Sequence, residues 1–348
     1  MIDRRVTMQD IANACGLSRN TVSKVFNNHN AVPEATRVRV LQTAKELGYG
    51  TFYEEAEKPL LPTNSTSIVL LTGSKPSSYH FGISLLTKFT DQVSRAGYTF
   101  QTYELSNWEI EQKKLPSSFQ TEQTAGIIGM ELFDRGYQQM VCALGLPTVF
   151  VDSYAHACNS LLSCDIVSME NTASTVEIVQ GLVNAGAVRI GFVGDKEHCN
   201  SFYERWLGFC IGLENAGLVL DKRCCILEND HAPYNNATWL NVQLDKMPDL
   251  PDAFVCANDF LAIHLMLAMK QKGLSIPGDI MITGFDGSAE SMLVDPQLTT
   301  VQIPSAEMGS LAAELLLNRI KNPEPSFTWT RMKTTPIWRA SVRTLAVD

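Results

Sequence analysis

The 348-residue chain predicts an N-terminal all-α helix-turn-helix headpiece followed by an α/β core of two parallel, Rossmann-like sheets. Three observations carry this prediction. Residues 7–47 show helical spacing of apolar positions with capping residues between them. Residues 51–66 change to a polar stretch holding two prolines and three glutamates. From residue 67 onward, short buried runs alternate with helical segments, the pattern of parallel sheets.

Thr7 caps a first helix that carries Met8, Ile11, Ala12 and Cys15 on one face. Gly16-Leu17 is a tight turn. Ser18 caps a second helix, running to about Asn27, with Val22, Val25 and Phe26 as its buried stripe. Pro33 suits the first turn of a third helix, which turns Val40, Leu41, Ala44 and Leu47 inward and stops at Gly48. The linker, TFYEEAEKPLLPTNST, spans 51–66. Strands follow at IVLLT (68–72), TAGIIGM (124–130), TVFVD (148–152), RIGFVGD (189–195), AFVCAND (253–259) and IMITGFD (280–286), with a helix at 83–96. Strand ends bearing Asp or Gly before a helix place ligand sites at the carboxyl ends of the strands.

Composition narrows the function. No run approaches the roughly 20 apolar residues of a membrane span. The opening MIDRRVTMQDIANAC lacks the apolar stretch of a secretory signal. Nine cysteines without a CxxC pair read as reduced thiols, and the expected location is the cytoplasm. Residues 1–50 hold seven Lys/Arg against four Asp/Glu, a net +3, which leaves −12 on the rest of the chain. A basic head on an acidic body suits a head that meets a polyanion.

The second helix has the chemistry for reading DNA. Arg19 and Asn20 lie at its start, and Lys24 is one turn beyond Asn20 on the same face. Arginine pairs bidentately with guanine and asparagine with adenine. Thr7, Ser18, Thr21 and Ser23 can donate to phosphates, and Asn27 closes the candidate DNA-contact set. The alternative is a three-helix bundle with a solvated polar face.

The segment VTMQDIANACGLSRNTVSKVFNNHNAVPEATRVRVLQTAKELGY resembles the headpiece of lactose-repressor/galactose-repressor (LacI-type) regulators. The resemblance continues through RIGFVGD, RWLGF (205–209), FVCANDFLAI (254–263), GFDGS and PQLTTVQIPSAEMGSLAAELLL, in order along nearly the whole chain. It implies a periplasmic-binding-protein-like core of two lobes, a homodimer, and binding to a palindromic double-stranded DNA operator. It also implies a small-molecule effector in the cleft, a sugar or sugar derivative being the family-based expectation. The lobes it implies are about 67–166 with 298–327, and about 167–297 with 328–348. Two departures stand out. Pro33 occupies a position where the family usually has Ser. The hinge that normally follows Gly-Tyr is replaced by GTFYEEAEKPLLP, whose glutamates face phosphates unfavourably. Leu60 and Leu61 remain as possible minor-groove wedges, and the alternative is a flexible linker with less DNA bending.

In the cleft, Arg205 matches the family's effector-binding arginine and Asp286 the acceptor that bonds sugar hydroxyls. Asn258 ends a strand and offers both a donor and an acceptor. Asp152 ends a strand of the other lobe, and Ser201 lies one helical turn before Arg205. Tyr79 and Phe81, in the loop after the first strand, can stack on a ligand. Each has a plainer alternative: Asp152, Asp286 and Asn258 as caps, Arg205 in a surface ion pair, the aromatics in packing. Trp206 is expected to pack, and Asp259 to cap or pair.

Two other functions compete. An exported sugar-binding protein would share the clamshell but lack residues 1–50. An α/β enzyme would need a motif, and the chain has no complete dinucleotide fingerprint, GxSxG, P-loop or HExxH. Six histidines show no metal-ligand spacing, so no metal or cofactor is expected; His264 reads as a core residue, and His231 sits in a polar loop. The absence of C-terminal leucine heptads favours a dimer over a coiled-coil tetramer.

Overall fold

The computed structural model describes residues 6–27, 32–47, 66–73, 82–157 and 162–343. The chain divides into two units, Met1–Thr63 and Asn64–Asp348.

In the first unit, α1 (Met8–Cys15), α2 (Arg19–Asn27) and α3 (Glu34–Glu46) pack around Ile11, Ala12, Cys15, Val22, Val25, Val40 and Ala44. Local chemistry sets their ends. Thr7 and Asp10 form a reciprocal capping box: Asp10 N–H donates to the Thr7 hydroxyl, and Thr7 N–H donates to the Asp10 carboxylate at 2.8 Å. Gly16, at φ 62°, takes the left-handed conformation that closes α1. Ser18 Oγ accepts the Thr21 N–H at 3.1 Å and opens α2. Arg39 ties α3 to α1 by donating to the Cys15 carbonyl at 2.7 Å. One expected core residue lies elsewhere: Leu47 is 38% exposed, because it follows the last residue of α3 and extends past the packed part of the stripe. The side chains of Phe26 and Asn27, the Gly48 stop, Leu60, Leu61 and linker residues 51–65 lie outside the described residues.

The second unit begins with a six-stranded sheet, all of whose neighbours run parallel. Its strands are β1 (Ser67–Thr72), β2 (Thr99–Glu104), β3 (Thr124–Met130), β4 (Thr148–Val151), β5 (Asp165–Met169) and β10 (Trp329–Met332), in the order β2-β1-β3-β4-β5-β10. Helices α4 (Gly82–Arg95), α5 (Asn107–Gln112) and α6 (Arg135–Cys142) connect them. Strands β1, β3, β4 and β5 are buried along their whole length, as sheets covered on both faces require.

The second lobe places α7 (Thr172–Asn184), α8 (Asn200–Asn215), α9 (Ala237–Asp245) and α10 (Asp259–Gln271) around the parallel strands β6 (Ile190–Val193), β7 (Ala253–Cys256) and β8 (Met281–Thr283). Close packing of α7 and α8 depends on Gly208, where a Cβ would stand 2.5 Å from the Thr172 carbonyl oxygen. After the short α11 (Glu290–Leu293), β9 (Thr300–Gln302) pairs antiparallel with β11 (Thr335–Ile337). The chain then returns through α12 (Ser305–Lys321), which packs on α4 and on β3, β4 and β5. At Gly309 a Cβ would lie 2.1 Å from the Leu85 carbonyl oxygen, so only glycine permits this approach of α12 to α4. Arg319 of α12 grips Asp165 with Nε and Nη2 at 2.9 and 3.0 Å, and Asp165 also accepts Thr328 N–H.

The three crossings between lobes fall a few residues later than the expected 166, 297 and 327. Asp165–Met169 and Trp329–Met332 both pair within the first sheet, and Thr300–Gln302 still pairs with the second lobe's Thr335–Ile337.

Candidate functional site

On the headpiece, Arg19, Asn20 and Lys24 are exposed on α2 and have no side-chain bond among the described residues. Positions 20 and 24 are one turn apart and 19 and 23 flank them, so the four project to one side of the rod. Three of the small hydroxyls also serve the fold. Thr7 gives its proton to the Asp10 carboxylate at 2.6 Å, and the Ser18 and Thr21 hydroxyls bond each other at 2.8 Å. They shape the helix starts, and the exposed long side chains are the groups free to reach outward.

In the second unit, the carboxyl ends of the two sheets face each other across a cavity of about 490 Å³. Five expected residues meet in its wall: Asp152, Ser201, Arg205, Asn258 and Asp286. Tyr79 and Phe81 lie outside the described residues. Arg205 projects from α8 and is 3% exposed. Its Nε donates to Asn171 Oδ1 at 3.0 Å, and its Nη1 to the Ala257 carbonyl at 2.6 Å and Asp286 Oδ1 at 3.3 Å. The guanidinium stacks 3.7 Å over the Phe285 ring. These bonds engage Nε and Nη1; among the described residues none engages Nη2.

Asp286 follows the Phe285 end of the β8 segment, with φ at 123°, and is buried. Asp152 follows β4 at φ 64°; its carboxylate accepts Ser153 N–H at 2.8 Å and, from the other lobe, Ser201 N–H at 3.3 Å. Asp152 thus bonds backbone amides of both lobes while lining the cavity. Asn258 Oδ1 caps α10 through Leu261 N–H at 2.9 Å, and the residue also lines the cavity. The Ser201 hydroxyl donates to Met169 Sδ at 3.0 Å and accepts from Asn171. Trp206 packs edge-on against Phe192, as expected. Asp259 accepts Ser288 N–H and the Thr300 hydroxyl.

Burial pushes the Asp286 carboxyl up to about 8; Asp259 and Glu131 add to this, against the downward pull of Arg205. Burial likewise raises Asp259 to about 6, opposed by its bonds from Thr300 and Ser288. A carboxyl held near neutrality can both donate and accept, which suits recognition of hydroxyl groups.

Several wall residues were missed by the sequence reading: Asn107, Glu131, Phe133, His198 and Asp230, with Asn171 behind them orienting Arg205. Glu131 had a signal, since it ends β3 as Asp152 ends β4. His198 and Asp230, joined Nδ1 to Oδ2 at 2.5 Å, come from loops with no such mark. His231 is exposed and stands outside this wall, and half-buried His264 bonds the Phe260 carbonyl within its own helix. Direct bonds cross between lobes: Asn200 N–H to the Ser153 carbonyl at 2.8 Å, and His156 Nε2 to Glu197 Oε2 at 2.7 Å. Among the described residues, no cluster of three or more His, Cys, Asp or Glu can hold a metal ion, and no helix is long and apolar enough to cross a membrane.

Residues 7–51 match the lacI family of bacterial regulatory proteins, and residues 179–342 match a periplasmic binding protein-like domain. Similar proteins include the HTH-type transcriptional regulator GalR of Lacticaseibacillus casei, 26% identical over 96% of this chain and 99% of its own. The ribose operon repressor of Haemophilus influenzae is 25% identical over 97% and 99%. Among solved structures, a transcriptional regulator CelR–cellobiose complex has a TM-score of 0.69 at 24% identity, covering 97% of this chain and 100% of that one. A LacI family transcriptional regulator from Enterococcus faecium with bound ribose has a TM-score of 0.65 at 20% identity, covering 79% and 98%. At these identities the structural likeness establishes the fold. The chain thus carries a lacI-type helix-turn-helix headpiece followed by a periplasmic-binding-protein-like domain, and it is similar over almost the full length of both chains to proteins named as transcriptional regulators of this type.

Proposed function

We propose that this protein is a ligand-responsive transcriptional repressor that binds palindromic operators as a homodimer, acts in the cytoplasm and catalyses no reaction. Residues 1–50 read the DNA, 51–66 link, and 67–348 sense a sugar or sugar derivative. The similar ribose operon repressor, and the neighbours bound to cellobiose and ribose, support the sugar class.

The observation that carries the reading is the cavity wall itself. It joins Asp152 and Glu131 of one lobe to Arg205, Asn258 and Asp286 of the other. A ligand bonded to both lobes binds their closed arrangement more tightly than an open one, and only such differential affinity can move an equilibrium. Operator half-sites one turn apart, about 34 Å, make DNA binding sensitive to how a dimer spaces its two headpieces.

Selection on a randomised palindromic library, read by gel retardation with and without candidate sugars, tests this. The expected result is a two-fold symmetric consensus whose affinity falls steeply with salt. Asp286→Ala is expected to lose the ligand response and keep operator binding. A protein that ignores all DNA at low salt would overturn the proposal.

A further inference from the structure

The interlobe cavity is not the end of the cleft. A second chamber of about 350 Å³ adjoins it and shares His198, Phe202, Asp230 and Asn258 with its wall. Both volumes fall in the range of about 300–1,000 Å³ typical of small-ligand pockets. Among the described residues, the lining of the second chamber comes from the second lobe, between the loop after β6, the loop before α9 and the start of α10.

Its walls alternate aromatic faces with carboxylates. Tyr234 is buried, held by its hydroxyl donating to the Glu228 carbonyl at 2.7 Å and by edge contact with Trp239. Phe202 and Phe260 supply the other ring faces. Asp195 is fixed by the backbone N–H groups of Glu197 and Asp230 at 2.8 and 3.1 Å, and Asp230 by His198. Ring faces suit the C–H face of a sugar ring, and fixed carboxylates suit its hydroxyl donors.

Charge decides between a neutral and an anionic ligand. The wall of the second chamber, among the described residues, holds Asp195 and Asp230 and no Lys or Arg. Among the described residues, the main cavity sets Glu131, Asp152 and Asp230 against one cationic side chain, Arg205, which already bonds Asp286. A phosphate or carboxylate brought into either space meets an excess of like charge in a low-dielectric wall.

We propose that the effector is an uncharged saccharide of at least two units, with one ring in the interlobe cavity and the next in this second chamber, and the His198–Asp230 pair at their junction. The proposal rests on the sugar-effector reading above. Because the described lining of the second chamber comes from one lobe, the outer unit adds affinity in either arrangement of the lobes. The inner unit, touched by both lobes, carries the conformational signal.

The test is isothermal titration of the full-length protein with glucose, galactose and mannose, with maltose, cellobiose, lactose and melibiose, and with the three hexose 6-phosphates. At least one disaccharide is expected to bind about tenfold or more tightly than either component hexose, and no phosphate more tightly than its parent. Asn235→Trp, which fills the exposed rim of the second chamber, removes the disaccharide's advantage and leaves hexose affinity unchanged; Ala232→Phe, in the same loop but half-buried, does the same. Disaccharides binding no better than hexoses, a preferred 6-phosphate, or plugs that weaken both ligands equally overturn the inference while sugar sensing stands. Silence from every saccharide at millimolar concentration overturns the sugar reading and the inference with it.

Discussion

In the headpiece, Arg19, Asn20 and Lys24 stand in water on one side of a nine-residue helix, whereas in the core Arg205 and Asp286 face each other 3.3 Å apart at 3% and 6% exposure. An exposed charge keeps its hydration and acts on a partner through a field that salt screens. A buried charge has surrendered its hydration and depends on the neighbours that replaced it. The headpiece can therefore lose a reading residue and still fold. The cavity cannot lose a wall charge without disturbing its own packing, so ligand recognition and core stability are coupled there.

The largest effect belongs to Arg205→Ala. It leaves Asn171 Oδ1, the Ala257 carbonyl and Asp286 without their donor inside the lobe. Breaking such a buried pair costs about 3–5 kcal/mol. Urea unfolding of the variant should show a loss of that size together with loss of ligand binding. A loss below about 1 kcal/mol would place the pair with surface ion pairs and erase the contrast between the two units.

A second test uses pH. Asp286 and Asp259 are raised by burial to about 8 and about 6, from an ordinary value of 3.8. Between 3.8 and those values the folded state holds protons that the unfolded chain has released, so core stability falls as pH rises and levels off above about 8. Asp286→Asn should flatten the decline between about pH 6 and 8 and leave the lower part, due to Asp259, in place. An unchanged slope would mean that Arg205 keeps Asp286 ionised.

The same contrast explains what could be read in advance. The headpiece lies within about forty consecutive residues, and its caps and apolar stripes act over three or four positions, so Thr7, Ser18, Val22 and Val40 all announce themselves. Leu47 misled because helical spacing says which way a side chain points and nothing about whether an element stands opposite. The cavity is assembled from loops distant in sequence. Asp152 and Asp286 were legible as strand ends, but their directions depend on left-handed backbones at φ 64° and 123°, which no alternation pattern encodes. Glu131, at φ 50°, shares both properties and was overlooked. His198 and Asp230 become neighbours only when two loops fold together. The lobe crossings were displaced because strands such as Trp329–Met332 take their place by pairing with a distant partner, Asp165–Met169.

Arg19→Ala and Lys24→Ala sharpen the headpiece side. Arg19→Ala should cost about 1–3 kcal/mol on the best operator and relax specificity at one base position. Lys24→Ala, if it meets phosphate, should weaken all sequences alike and lower the salt slope by about one. Neither should shift the unfolding of the core, since both side chains are exposed. An equal loss on every sequence for Arg19→Ala would make it a phosphate contact as well.

The smallest effect separates two uses of one hydroxyl. Thr7 closes the capping box with Asp10, so Thr7→Ala removes an acceptor for Asp10 N–H and should destabilise α1 by about 1 kcal/mol. Amide exchange at Asp10 and Ile11 should quicken without DNA present, and Thr7→Ser should restore protection. If Thr7 instead serves as a phosphate donor, exchange in the free protein stays the same and the loss appears only in operator affinity. The two outcomes are exclusive because the Thr7 proton, given to Asp10 at 2.6 Å, cannot also be offered to a phosphate while the box is closed.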